Sequence, residues 1–291
     1  MRRAHGLWVL PPALLVAGVF GYPLVLVALQ SARTDGGAWT ALSWRLVTGS
    51  HEFQAAIGAT VLIAVAATAG CLLLGTFFAL VIAFVPFPGA RLVSRLVDTM
   101  LAFPSFLIAL SFTFLYGAAG VLHAAGVPIS GFLYTRWCVI LAEITFYTPF
   151  VMRPVLAAFT QVPADRLNVA ASLGARPWRV VRQVILPEAL PALAASGSLT
   201  LLLTLNEFGI VLFIGAKDVT TLPMLVETKG VVTFDYPGAC VVAVVEVALS
   251  LALYSLYRWV FRRYERSGSA RPAPRHEPDQ SPGGDRAALV A

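Results

Sequence analysis

From Ala55 to Val85 the chain runs without a single Asp, Glu, Lys or Arg. That stretch exceeds the about 20 residues a helix needs to cross the hydrocarbon core of a bilayer. Leu7 to Gln30 is equally free of charge. Windows of similar length pick out Leu96 to Gly117, Trp137 to Phe159, Ala189 to Gly215 and Gly238 to Val260. Inside lipid, each backbone N–H and C=O must find a partner within the protein, and apolar runs of this length do so as helices. The expected fold is therefore an all-α integral membrane protein with six transmembrane helices. Composition agrees, since only 12% of residues are charged, against about a quarter in a soluble globular chain.

The opening MRRAH followed by an apolar run has the outline of a signal peptide. The run is too long for one, contains Pro11, Pro12 and Pro23, and ends in no small-residue cleavage pattern. It reads as a retained helix. Positively charged loops resist translocation, so arginines and lysines orient the spans. With six spans, Arg2, Arg3, Arg91, Arg95, Arg166, Arg176, Arg179, Arg182 and the arginines from Arg258 to Arg286 share one side, with Arg153 near it. The other side holds Arg33, Arg45, Lys217 and Lys229, with Arg136 at its edge. Both termini are expected in the cytoplasm of a multi-pass inner-membrane protein. Residues 1–266 form the membrane domain, with a cytoplasmic loop at about 161–187. Residues 267–291, rich in Pro, Gly, Ser and charge, are expected to be a disordered cytoplasmic tail.

Several chemistries are set aside. The net charge of +6 is concentrated at membrane flanks, where the topology rule and anionic lipid explain it, so no nucleic-acid partner is expected beside the bilayer itself. Cys71, Cys138 and Cys240 lie in or beside three different spans. His5, His51, His123 and His276 are scattered, which points to no metal site. The fragment IGAKDVTT fails as a phosphate loop because Ala216 and Asp218 stand where a glycine and a hydroxyl residue are required around Lys217. Carboxylates within spans are costly and mark pathways or packing contacts. Glu143 and Glu207, the deepest, are candidate pathway or gate residues together with Asn206. Asp98, near a membrane edge and beside Arg95, reads as solvated or ion-paired, and Glu246 as a packing residue.

The segment NVAASLGARPWRVVRQVILPEALP, Asn168 to Pro191, interrupts this apolar chain with arginines and turn residues. Pro163 is placed to begin a short helix, Gly174 to end it and Pro177 to begin a second. In the second, Trp178, Val181, Val184 and Ile185 recur at helical spacing, while Arg179, Arg182 and Gln183 fall elsewhere. The order of Ala170, Gly174, Val184 and the pair Leu186-Pro187 resembles the cytoplasmic EAA loop of permease subunits of ABC-type importers. Asn168 stands where that family usually has glutamate, Val169 replaces the first alanine and Val184 an isoleucine.

The resemblance covers most of residues 7–262 and implies the type I importer permease fold. It further implies a loop (Asn168, Ala170, Ala171, Gly174, Val184, Leu186, Pro187) that couples this chain to a separate cytoplasmic ABC ATPase. The implied partners are ATPase subunits, a second permease subunit, the same or homologous, and an extracytoplasmic solute-binding protein. No cofactor is expected on this chain, with ATP and magnesium on the ATPase. Pro104, Pro149, Pro154 and Pro191 are candidate kinks. Asn206 to Trp259, with EFGIVLFIGAKDVTTLP and FDYPGAC, is similar to permeases for 2-aminoethylphosphonate. That relationship leaves polyamine, ferric iron, sulfate or molybdate, and thiamine as alternatives. Lys217, Thr220, Thr221 and Lys229 are candidate contacts for the binding protein. The reading from a different class is a secondary transporter working without ATP; no internal repeat supports it.

Overall fold

The computed structural model describes residues 11–34, 36–127, 131–215 and 218–269. Among them the secondary structure is helical, and a lone antiparallel bridge pairs Arg33 with Trp39 after the first helix. In chain order the helices are α1 Pro11–Gln30, α2 Leu42–Thr48, α3 His51–Phe84, α4 Ala90–Met100, α5 Ser105–Tyr116 and α6 Val121–Ala124. They continue as α7 Arg136–Thr160, α8 Ala164–Ser172, α9 Pro177–Leu205, α10 Leu222–Glu227 and α11 Tyr236–Ser269. Six helical segments are long and apolar enough to cross a membrane, the third being Ser105–Ala124. The first ten residues, which include Leu7 of the first expected span, and residues 270–291 of the expected tail lie outside the described residues.

Two of the six spans differ from the sequence expectation. Leu96 to Gly117 is not one helix, because α4 stops at Met100 and α5 begins only after Pro104, which occupies its N-cap. α4 carries Arg91, Arg95 and Asp98, and a hydropathy window averages across its end. The fifth span starts earlier than Ala189 and ends earlier than Gly215. The second short helix expected at Pro177 runs unbroken into the membrane helix and stops at Leu205. α9 contains a π-turn at Val181–Ile185, where the Leu186 N–H bonds to the Val181 carbonyl. That wider turn comes just before Pro187, which has no N–H to donate to the turn below it. Pro149, Pro154 and Pro191 remain inside continuous helices, whereas Pro104 marks a break between two.

The core forms around the pair α3 and α7. α3 starts on a Ser50 cap that accepts from the Phe53 N–H at 3.3 Å, and α7 on a Thr135 cap that accepts from the Cys138 N–H at 3.3 Å. α3 turns small buried residues, Ala64, Ala67, Cys71, Gly75 and Ala79, along its length. In lipid, where no hydrophobic force drives helices together, small residues let backbones approach and gain dispersion contacts. At Gly75 the approach leaves no room, since a Cβ there would sit 2.9 Å from Val151 Cβ and 3.1 Å from the Met152 nitrogen. α4 is tied to α7 by Arg153, which pairs with Asp98 and donates to the Ser94 carbonyl at 2.9 Å. Asp98 is thus ion-paired as expected, with Arg153 across the helix interface.

Gly75→Leu is expected to lower unfolding stability by about 1–3 kcal/mol through overpacking against α7 backbone. Gly58, with open space around it, is the control: Gly58→Ala is expected to change stability by no more than about 1 kcal/mol. Thermal unfolding of the two variants in the same detergent measures the difference.

Candidate functional site

The interhelical loop is built by local rules. Pro163 caps α8, and Gly174 ends it at a φ of 69°. The Ala175 N–H returns to the Ala170 carbonyl at 3.1 Å and the Gly174 N–H to the Ala171 carbonyl at 2.9 Å. That bond pair is a Schellman motif, which satisfies carbonyls otherwise orphaned at the helix end. Arg176 is extended, and Pro177 opens α9. Arg166 reaches across the loop to Glu188 at 2.8 Å.

The loop exposes apolar surface, with Val169 at 58%, Leu173 at 81% and Trp178 at 70%. The expected coupling residues are adjacent to these: Asn168, Ala171, Gly174 and Pro187 are exposed, and Ala170, Val184 and Leu186 half-buried. Motif matching missed Leu173 because its position within the pattern is unrestricted. Among the described residues, chain neighbours aside, nothing lies within 4 Å of a Cβ built on Gly174. Within the chain, then, glycine answers to the left-handed backbone, not to crowding.

A second arrangement lies in the bundle. α9 ends at Leu205, the Asn206 side-chain amide at its C-cap donates a hydrogen bond to the Leu202 carbonyl at 2.8 Å, and a π-helical turn follows at Val211–Gly215. The Glu207 carboxylate sits in this break, 7% exposed. One of its oxygens accepts from the Ile210 N–H at 2.8 Å and from Ser105 Oγ at 3.0 Å, and the other accepts from the Tyr147 hydroxyl. Ser105 is the first residue after the break at Pro104. One carboxylate therefore joins two interrupted spans and α7. Glu143, one turn from Tyr147 on α7 and within electrostatic reach of Glu207, is wholly buried, and its two oxygens have no hydrogen-bond partner among the described residues. Sequence spacing could not bring these groups together, as Glu207 lies 60 residues from Tyr147 and 102 from Ser105.

The remaining candidates separate. Lys217 lies outside the described residues. Thr220 is half-buried, and Thr221 is 3% exposed at the α10 N-cap, enclosed where a contact residue was expected. The Lys229 ammonium is engaged by Asp235 at 3.1 Å. Beside them Val231, Val232, Phe234 and Tyr236 are exposed, and Phe234 holds a φ of 56°, unusual for a bulky side chain. They lie between the fifth and last expected spans, in the same outer segment as Lys229. Among the described residues no cluster of His, Cys, Asp and Glu could hold a metal ion.

A family model for the inner membrane component of binding-protein-dependent transport systems matches residues 71–266. The chain belongs to that family. It is a permease subunit of the ABC importer type, a multi-pass component of the inner membrane. A Salmonella typhi protein with the provisional name 2-aminoethylphosphonate transport system permease protein PhnU is 52% identical over 259 residues, covering 87% of this chain and 90% of that protein. The sulfate transport system permease protein CysT of Escherichia coli K12 is 30% identical over 246 residues, covering 82% and 86%. The fold is that of a bacterial ABC transporter chain involved in import of the acidic polysaccharide alginate, with a TM-score of 0.77 at 18% identity, covering 90% of this chain and 96% of that one. The family match spans both the loop and the Glu207 junction.

Glu207→Ala would leave the Ile210 N–H, Ser105 and Tyr147 without their shared acceptor, and is expected to cost at least about 3 kcal/mol. Tyr147→Phe removes one donor and is expected to cost about 1–3 kcal/mol. Unfolding curves of both variants in detergent check the ranking.

Proposed function

We propose that this chain is the membrane permease of a 2-aminoethylphosphonate importer, oriented with both termini in the cytoplasm. In this reading α8 and the start of α9 dock on a separate ATPase. The second permease subunit, the same or homologous, completes the pathway, and an extracytoplasmic binding protein delivers solute. ATP and magnesium act on the ATPase, and this chain contributes no ATPase site or cofactor of its own. The observation that carries the substrate is the 52% identity to the Salmonella typhi relative along most of both chains.

The geometry suggests how force would travel. α9 holds 29 residues from the loop to the Glu207 junction, a lever of about 43 Å at 1.5 Å per residue. The Schellman turn fixes the angle at which α8 enters it. At its far end Glu207 ties the break to α5 and α7, so a displacement of the loop is handed to three helices. Coupling by rigid movement needs such a continuous element. Glu143 and Glu207 are enclosed in this conformation, and in this reading they meet the ammonium group of the solute only when the junction opens. The exposed Val231, Val232 and Phe234, next to Thr220 and Lys229, form the proposed contact for the binding protein.

The test is uptake into vesicles carrying this chain with its ATPase, binding protein and second permease, comparing labelled 2-aminoethylphosphonate, sulfate, putrescine and ferric iron. ATP-dependent accumulation of the phosphonate is expected. Preference for another solute would overturn the substrate, and ATP-independent uptake would overturn the coupling. Leu173→Asp is expected to abolish uptake with membrane insertion unchanged. Gly174→Ala places a side chain where the left-handed backbone costs about 1–2 kcal/mol, whereas Gly174→Asn tolerates that region. Uptake by the Asn variant is expected to exceed that of the Ala variant; equal loss would mean that the ATPase needs the missing side chain instead.

A further inference from the structure

Behind the loop, α9 and α11 diverge. They touch where Gly197 faces Tyr257 so closely that a side chain would not fit, and the Tyr257 hydroxyl donates to the Leu193 carbonyl at 3.1 Å. From that contact toward the loop the helices separate and leave a groove of about 460 Å³. One wall is α9, mainly the face of Trp178, Arg182, Leu186, Leu190 and Leu193 with Pro187 beside it; the other is Val260 and Phe261 of α11. Four-residue steps overshoot a 3.6-residue turn by about 40°. The π-turn at Val181–Ile185 absorbs part of the overshoot and keeps the wall in line.

The groove is apolar along its length and carries one charge, at its mouth. Among the described residues Arg182 has no hydrogen bond and no ion pair, while the nearby carboxylate of Glu188 is taken by Arg166. Arg179 is exposed one residue after Trp178, and Arg262 is exposed one residue after Phe261. Trp178, 70% exposed, is the type of side chain that concentrates at membrane interfaces. Both walls are the ends of candidate membrane spans, Pro177–Leu205 and Tyr236–Arg263, so the groove opens to lipid.

We propose that this groove binds an anionic phospholipid, with one acyl chain between α9 and α11 and the phosphate on Arg182. An unpaired guanidinium at the mouth of an apolar cleft matches a ligand that is anionic at one end and hydrocarbon beyond it. Arginine also offers a planar fork of donors to phosphate oxygens. A zwitterionic lipid presents the same chains without net charge and binds more weakly. The site lies directly behind Trp178 and the α8–α9 turn, so its occupant props the base of the lever that carries the loop.

The experiment uses the full chain in its membrane assembly, placed in bilayers of phosphatidylethanolamine with a minority of phosphatidylglycerol, extracted gently and analysed for lipid retained per chain. Retained phosphatidylglycerol is expected to exceed its share in the bilayer. Arg182→Gln is expected to lower its retention about fivefold, the effect of one basic residue at an anionic surface, and Arg182→Lys to restore most of it. Leu190→Trp fills the groove and is expected to displace the lipid with assembly unchanged. A photo-crosslinking side chain at position 190 is expected to capture lipid. Phosphatidylglycerol retention indifferent to Arg182→Gln would overturn the proposal. Capture of a polypeptide, whether a second copy or another segment of this chain, would overturn it as well.

Discussion

A helix end buried away from water leaves backbone donors and acceptors in need of partners, and two helix ends meet in this chain, where α9 stops at Leu205 and α5 starts at Ser105. The Glu207 carboxylate meets that constraint. It caps the Ile210 N–H at the start of one continuing segment, takes the hydroxyl of Ser105 at the start of the other and receives Tyr147 from α7. Each such bond in a low-dielectric setting is stronger than its counterpart in water, and loss of the acceptor strands all three donors at once. The arrangement of α5, α7 and α9 rests on this junction, with Glu143 enclosed one turn away.

The seam between α3 and α7 supplies the rigid frame around it. Gly75 and the alanines of α3 bring two backbones into contact, and α4 is fastened to the frame by Arg153. α1 lies against α11, yet no residue of its apolar window is buried within the chain. The molecule thus divides into a packed frame, an exposed first span and a long α9 that links the loop to the junction. The loop is made of short-range interactions, and the junction of long-range ones.

That division explains what could be read from the amino acids. Ala55 to Val85, Trp137 to Phe159 and Gly238 to Val260 each lie within α3, α7 and α11 or extend them by one residue, because each is a continuous apolar run. The loop was legible in Pro163, Gly174 and Pro177, whose backbone preferences act over a few residues. The third and fifth spans were misplaced because a hydropathy average does not see a three-residue interruption such as Asn206–Phe208, nor the turn before Pro104. The three donors around Glu207 come from distant segments and one from backbone, so no local pattern announces them. Thr221 was a candidate contact by its place near the outer loop, and it is enclosed.

The π-turn of α9 also bears on where its loop points. Its Leu186–Val181 bond closes over one residue more than an α-turn would, so a full revolution of backbone is completed with an extra residue inside it. Trp178 and the α8 turn therefore keep their azimuth relative to everything from Leu190 to Leu205 although the count of residues between them has grown by one. A chain shorter by one at this point can close an ordinary turn and aim its loop as before, whereas one shorter by a residue in the regular part of α9 would swing the loop by about 100°.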